Sequence, residues 1–195
     1  REKPTHLAVS FDPPGGTFRN KLYPLYKANR SETPQLVIDA LEQLCAIVRS
    51  MDIPVLMVSG FEADDVIGTL SQKAAAEGYE VFMVTPDKDY GQLVRPCCKL
   101  YKQKGDGIEI VDCDAIRAHY GFDDPTLVRD VLALWGDASD NIPGVPGIGE
   151  KGACKLVQTW GTVENILSNV ERIKGRQGES IAAWGDKLLL AKRLT

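Results

Sequence analysis

Apolar residues fall into short runs in the first part of the chain and into helical spacings later. Residues 5–11, 53–58 and 81–84 are brief, β-branched and flanked by polar or Gly/Pro positions, which predicts buried strands. Leu36, Val37, Ala40, Leu41, Leu44, Ile47 and Val48 recur at helical spacing behind Pro34, which predicts a helix out to about Met51. Val66, Ile67 and Leu70 predict a second helix from near Ala63, through the alanines at 74–76, to Gly78. A helical turn is expected over 90–94. Residues 99–101 and 108–111 read as a hairpin around Gly105-Asp106-Gly107. From Asp112 the pattern is helical: one helix capped by Asp114 and ending at Tyr120, and one from Asp124-Pro125 to about Trp135. Beyond them come a Pro/Gly hairpin leading into Ala153, Leu156, Val157 and Trp160, a helix over 163–167, and a last one from about Glu179 to Leu194. Strands alternating with helices predict an α/β fold with a mostly parallel sheet in residues 1–113, followed by a helical region in 114–195.

The chemistry lies at the ends of the apolar runs. Asp12 follows the first run. Glu62, Asp64 and Asp65 follow the second, within Gly60-Phe61-Glu62-Ala63-Asp64-Asp65-Val66-Ile67-Gly68. Asp87 and Asp89 follow the third, and Asp137 and Asp140 follow Leu132-Ala133-Leu134-Trp135-Gly136. Acids in a first helical turn are favoured by the helix dipole alone, but here the arrangement recurs four times. In an open α/β sheet, carboxyl ends of strands lie together. Eight carboxylates there repel one another unless a cation neutralises them, and all-oxygen ligands suit Mg²⁺ or Mn²⁺.

A length of 195 residues fits one domain, or a domain with a small appendage, and 44% apolar content supports a core. No apolar run approaches the roughly 20 residues of a membrane span. The polar start Arg1-Glu2-Lys3-Pro4 lacks a Met and any signal peptide, and points to a fragment. Cys45, Cys97, Cys98, Cys113 and Cys154 form no C-x-x-C pair and read as reduced thiols of a cytoplasmic protein. His6 and His119 read as surface residues. The net charge of −4 argues against a nucleic-acid partner until the eight clustered acids are set aside; the rest of the chain then carries +4.

Two further stretches bear on phosphate. In residues 17–30, Arg19, Lys21, Lys27 and Arg30 interleave with Phe18, Tyr23 and Tyr26, as a backbone-tracking and base-stacking surface requires; a solvated basic loop with its tyrosines packed down fits the same residues. In Gly144-Val145-Pro146-Gly147-Ile148-Gly149-Glu150-Lys151, glycines at a helix N-terminus allow N–H groups close approach to phosphate.

Taken together, Phe11-Asp12, Tyr26-Lys27-Ala28-Asn29-Arg30, the Gly60–Gly68 stretch, Thr85-Pro86-Asp87-Lys88-Asp89 and the run from Gly136 to Lys151 resemble the 5′-nuclease family. That family comprises the flap endonucleases and the N-terminal 5′→3′ exonuclease domain of bacterial DNA polymerase I, the latter being the nearer form. The resemblance implies a fold of that type with an arch region and following helix over residues 17–50. It implies Asp12, Glu62 and Asp64 as ligands of one Mg²⁺ or Mn²⁺, and Asp64, Asp87, Asp89 and Asp140 around a second, with Asp65 and Asp137 assisting through water. Lys27 and Arg30 would neutralise the scissile phosphate, Arg19 would steer a displaced strand and Tyr26 would stack on a nucleotide. Gly147, Gly149, Lys151 and Lys155 would grip duplex backbone beside a K⁺ ion. The implied partner is DNA with a 5′ flap or junction, met by a monomer whose parent chain carries a polymerase domain. Two departures stand out: Pro86 where the family commonly has glycine, and no earlier strand bearing a further metal-binding Asp. A non-catalytic DNA-binding module and a ribonuclease of the PIN type remain alternatives.

Overall fold

The computed structural model describes residues 3–195; the polar start at Arg1 and Glu2 lies outside the described residues. The chain forms two compact units, one ending at Leu70 and the other running Ser71–Thr195, and the division falls inside a helix. A helix begins at Cys113, inside the second unit.

In the first unit, β1 (Val9–Ser10) pairs in parallel with β2 (Val55–Leu56), Val9 opposite Val55. Both are far shorter than the apolar runs predict. Helix α1 (Phe18–Leu22) opens with Thr17, whose N–H donates to Asn20 Oδ1 at 2.9 Å. Pro24 and the turns around it keep α1 short. Helix α2 (Gln35–Ser50) starts behind Pro34 as expected. Its apolar stripe is not covered within the described residues of its unit: Leu36 is 80% exposed, and Val37, Leu44 and Ile47 are exposed too. Strands of two residues offer too little surface to bury a sixteen-residue helix. Helix α3 (Ala63–Ala76) follows the acidic stretch. Glu62 stands at its N-cap and Asp65 reaches back to the Glu62 N–H at 2.9 Å, one half of a capping box. Asp12 Oδ1 accepts from the next N–H, that of Ala63, at 2.7 Å.

The second unit holds β3 (Val81–Val84), β4 (Cys98–Lys104) and β5 (Gly107–Val111) in one sheet, β3–β4 parallel and β4–β5 antiparallel. The turn at Gly105-Asp106 is where the hairpin pattern puts it. A 3₁₀ segment, Asp89–Leu93, follows β3. Helix α4 (Cys113–Tyr120) is capped by Asp112, not Asp114: Asp112 accepts from the Ala115 N–H at 2.9 Å, the reach of an N-cap to the third helical residue. Asp124 caps the 3₁₀ turn Pro125–Leu127, which runs into α5 (Val128–Trp135).

Between α5 and the glycine hairpin lies a short ladder that apolar spacing does not signal. β6 (Gly136–Asp137) pairs antiparallel with β7 (Ile142–Pro143). A Cβ at Gly144 would lie 2.0 Å from the Trp135 carbonyl oxygen, and one at Gly136, whose φ is +84°, would lie 2.3 Å from the Gly144 nitrogen. Only hydrogen fits at both positions. Helices α6 (Glu150–Trp160) and α7 (Val163–Ser168) appear as expected. The single last helix is two, α8 (Arg176–Trp184) and α9 (Asp186–Leu194), broken where Gly185 takes φ 42° and ψ −121°. The break re-aims α9 so that Leu188, Ala191 and Leu194 are buried. Val128, Val131, Leu132, Leu134, Val157, Val163, Ile166, Ile181 and Leu188 form a core excluded from water. Inside it, Asp130 is 1% exposed; it accepts from Lys192 Nζ at 2.6 Å and from the Val163 N–H at 2.8 Å. Among the described residues no helix is long and apolar enough to cross a membrane.

Candidate active site

The head of α3 gathers the first unit's acids with its cations. Arg19, 6% exposed, forms a two-pronged bond to Asp65 (Nη1 to Oδ2 2.8 Å, Nη2 to Oδ1 2.9 Å) and lies 3.7 Å from Glu62 Oε2. Glu62, also 6% exposed, accepts at the same Oε2 from the Tyr26 hydroxyl at 3.0 Å and from Lys27 Nζ at 2.8 Å. Tyr26 is 3% exposed, with the Lys27 ammonium 4.9 Å from its ring centre. Burial opposes the Arg19 charge, but the bond to Asp65 and the charges of Asp65 and Asp64 together outweigh it and raise the guanidinium above its ordinary value. Burial pushes the Asp64 carboxyl up; Arg19 pulls it back, and Asp65 and Glu62 push it again, to about 6. Arg30 is exposed. The tyrosine reads as packed down, and its ring is not presented for stacking in this conformation.

In the second unit, Asp87 Oδ1 accepts from the Asp89 N–H at 2.9 Å. Burial pushes Asp89 up, and the charges of Asp87 and Asp137 and a hydrogen bond with Asp137 carry it to about 7, with Lys88 pulling the other way. Asp89 Oδ1 is buried with no hydrogen-bond partner. Burial also works against ionisation of Asp137, but the Ser139 hydroxyl (2.7 Å) and N–H (2.8 Å), the bond with Asp89, and Lys88 together hold it below the usual carboxylate range. Asp140 lies beside the same hydroxyl, at 3.5 Å. The Lys88 ammonium sits 4.3 Å from the centre of a Trp135 ring, at the edge of an open cleft lined also by Asp137, Ser139 and Asn141.

The glycine hairpin is pinned by buried Val145 and Ile148 and leaves Gly147 and Gly149 exposed. Gly147 takes φ +81°, and Gly149 is the N-cap of α6 with no side-chain cap, so the first N–H groups of α6 are left to other partners. Lys151 and Lys155, one turn apart on α6, are exposed. Glu150 lies 3.3 Å from His119 Nε2.

Among the described residues, no three His, Cys, Asp or Glu side chains are close enough together to hold a metal ion. The donor chemistry still suits a hard divalent cation. It is all carboxylate, two of the acids resist ionisation because burial and then neighbouring like charges oppose it, and one buried oxygen lacks a donor. The sequence reading missed Lys88, Ser139 and Asp130. Lys88 stands between two singled-out acids, and Ser139 follows Asp137 at the spacing of an Asx turn, a local signal that was open to use. Asp130 carries none, since a lone acid in an apolar helix is unremarkable until its partner 62 residues on is known.

Residues 1–121 match the family model described as the 5'-3' exonuclease N-terminal resolvase-like domain, and residues 124–195 match the 5'-3' exonuclease C-terminal SAM fold. DNA polymerase I of Bacillus caldotenax is 40% identical over 196 residues, 99% of this chain and 22% of that protein. A 5'-3' exonuclease of Buchnera aphidicola is 40% identical over 168 residues, 86% of this chain and 58% of that protein. The chain thus spans about a fifth of the DNA polymerase I relatives it matches. Among solved structures, T5 5'-exonuclease with bound divalent (zinc) ions superposes with a TM-score of 0.79 at 21% identity, covering 96% of this chain and 73% of that one. The catalytic core of Rad2 in complex with DNA substrate gives 0.57 at 17%, covering 92% and 58%. At these identities the structural likeness speaks to the fold, a mixed α/β type with a helical C-terminal part.

Proposed function

The chain belongs to the 5'-3' exonuclease family, and on that premise we propose that it hydrolyses DNA phosphodiesters near 5′ flaps and junctions with the help of divalent cations. The observation that carries the reading is Asp89: a carboxyl crowded by Asp87 and Asp137, with one buried oxygen left without a donor. Asp12, Glu62, Asp64 and Asp65 of the first unit, and Asp87, Asp89, Asp137 and Asp140 of the second, would hold Mg²⁺ or Mn²⁺. Such ions, when bound, activate water and stabilise a leaving 3′-oxygen. Lys27 and Arg30 neutralise the scissile phosphate; Lys27 is already held beside an acid by its bond to Glu62. The hairpin at Gly147 and Gly149, with Lys151 and Lys155, would hold duplex backbone without reading bases, and its carbonyls would take a K⁺ ion. Acting on chromosomal DNA, the protein works in the cytoplasm as a monomer, as the nuclease part of a polymerase I-type chain.

The test is cleavage of a 5′-flapped duplex in Mg²⁺ beside single-stranded RNA. Incision near the flap junction, lost in EDTA, is expected. Cutting of the RNA with the flap untouched would favour the ribonuclease reading. Tight DNA binding with no cleavage in Mg²⁺ or Mn²⁺ would favour a DNA-binding module.

Lys151→Glu combined with Lys155→Glu is expected to weaken duplex binding roughly tenfold at moderate salt, and to flatten the dependence of log affinity on log salt by about 2, through lost counterion release. The measurement is made in Ca²⁺ to block cleavage. Unchanged affinity and slope would remove the hairpin from the DNA interface.

A further inference from the structure

We propose that Arg19 is a positioning residue for the acids at the head of α3 and makes no contact with nucleic acid. The proposal rests on the reading of Glu62 and Asp65 as cation-facing acids and assigns what holds them. An arginine that tracks phosphate must present its guanidinium to solvent. Arg19 does the opposite: it is 6% exposed, and both prongs of its fork are engaged by Asp65 at 2.8 and 2.9 Å.

The consequences pass through Asp65. Its Oδ2 takes one prong of the fork and also accepts the Glu62 N–H at 2.9 Å. The same guanidinium lies 3.7 Å from the Glu62 carboxylate, which Tyr26 and Lys27 hold from the arch segment at 3.0 and 2.8 Å. The Phe18 N–H donates to the Gly60 carbonyl at 3.0 Å, and the Phe18 and Phe61 rings lie 5.8 Å apart. Arg19 thus clamps residues 17–27 onto residues 60–65. It fixes both the backbone at Glu62 and the orientation of two carboxylates. A planar, permanently charged fork is the one side chain that serves two carboxylate oxygens at fixed spacing. Lysine, a point charge, would keep the neutralisation and lose the geometry.

Three readouts on the 195-residue chain separate this role from the others. With Arg19→Gln, exchange of the Glu62 amide should speed at least tenfold relative to amides of α2, because Asp65 is no longer held. Mn²⁺ affinity by calorimetry should fall several-fold. The salt slope of duplex binding should stay unchanged. Arg19→Lys should leave Mn²⁺ affinity low although charge is restored. A fall of about 0.9 in the salt slope would make Arg19 a phosphate ligand and overturn the proposal. A lower melting temperature with Glu62 exchange and Mn²⁺ affinity unchanged would reduce it to packing, and overturn it also. Should the glutamine variant not fold, Asp65→Asn breaks the same fork from the other side and is read by the same amide and the same slope. If the wild-type chain binds no Mn²⁺, the nuclease reading fails and the clamp loses its purpose, while the Glu62 amide still reports whether Arg19 holds that backbone.

Discussion

Raising the pH of the metal-free chain from 5 to 7.5 is expected to lower its melting temperature by several degrees, and Mn²⁺ at pH 7.5 to restore it. Asp64 and Asp89 have folded values of about 6 and 7 against an ordinary 3.8. Between those limits the folded chain keeps protons that the unfolded chain has released. Stability from these two groups is therefore greatest at low pH and is lost as pH climbs through 6 and 7. Asp137 and Glu164 are shifted the other way, so their contribution is lost only as pH falls below the ordinary carboxylate range, outside this window. A divalent cation offsets both the burial and the repulsion that raise Asp89, so it should stabilise more at pH 7.5, where the acids are ionised, than at pH 5, where binding must expel protons. Asp89→Asn should flatten the upper half of the curve. Scanning calorimetry in EDTA decides the matter: a melting temperature that is level or rising from pH 5 to 7.5 would mean that Asp64 and Asp89 do not hold their protons in the folded chain.

Asp130→Ala should cost about 3–5 kcal/mol, the loss seen when one partner of a buried ion pair is removed and the other is stranded. Asp130 ties three helices of the second unit: α5, on which it stands, α7 through the Val163 N–H, and α9 through Lys192, which also reaches Glu164 at 2.7 Å. Removing it leaves the Val163 amide without its acceptor and the Lys192 ammonium with only the more exposed Glu164. Asp130→Asn keeps an acceptor for Val163 and should cost less. Asp130→Leu with Lys192→Met should recover much of the loss, since well-packed apolar groups replace buried pairs at little penalty. Urea denaturation at constant m-value measures all three; a loss under about 1 kcal/mol for the alanine variant would show the pair to be dispensable.

The parts of the fold legible in the sequence are those where local pattern and packing agree. α2, α3, β3, the β4–β5 hairpin and α6 sit where periodicity and turn residues put them, because each carries its own start and stop signals. The misses share a cause: they depend on residues far away. β1 and β2 shrink to two residues each because a strand extends only as far as a neighbour pairs with it, and pairing leaves no trace in a run's composition. The break at Gly185 serves the burial of Leu188 and Ala191, which helical spacing alone cannot report. Asp112 and Asp114 both suit a cap, and the choice was settled by where the backbone turns.

The candidate site divides along the same line. Its candidate acids stand out in the sequence because acidic residues recur after each apolar run. The cations were legible as types but not in orientation. Arg19 reads as a solvated or strand-steering cation, and Tyr26 fits either a stacking ring or a packed-down one; both turn inward, toward Asp65 and Glu62, which lie 46 and 36 positions away. Burial of a charged side chain is decided by its partner, and the partner is non-local.

The contact between Gly136 and Gly144 bears on how this molecule can change over generations. It closes the base of a seven-residue loop with atoms that admit no side chain, while Asp137, Ser139, Asp140 and Asn141 ride on the loop itself. Variation is thereby partitioned. Random codons introduced at the exposed positions 138 and 139 should yield folded proteins at high frequency, whereas codons at 136 and 144 should return glycine almost without exception. A laboratory lineage seeking altered chemistry at this cleft can explore the loop's chemistry freely while its frame stays inherited.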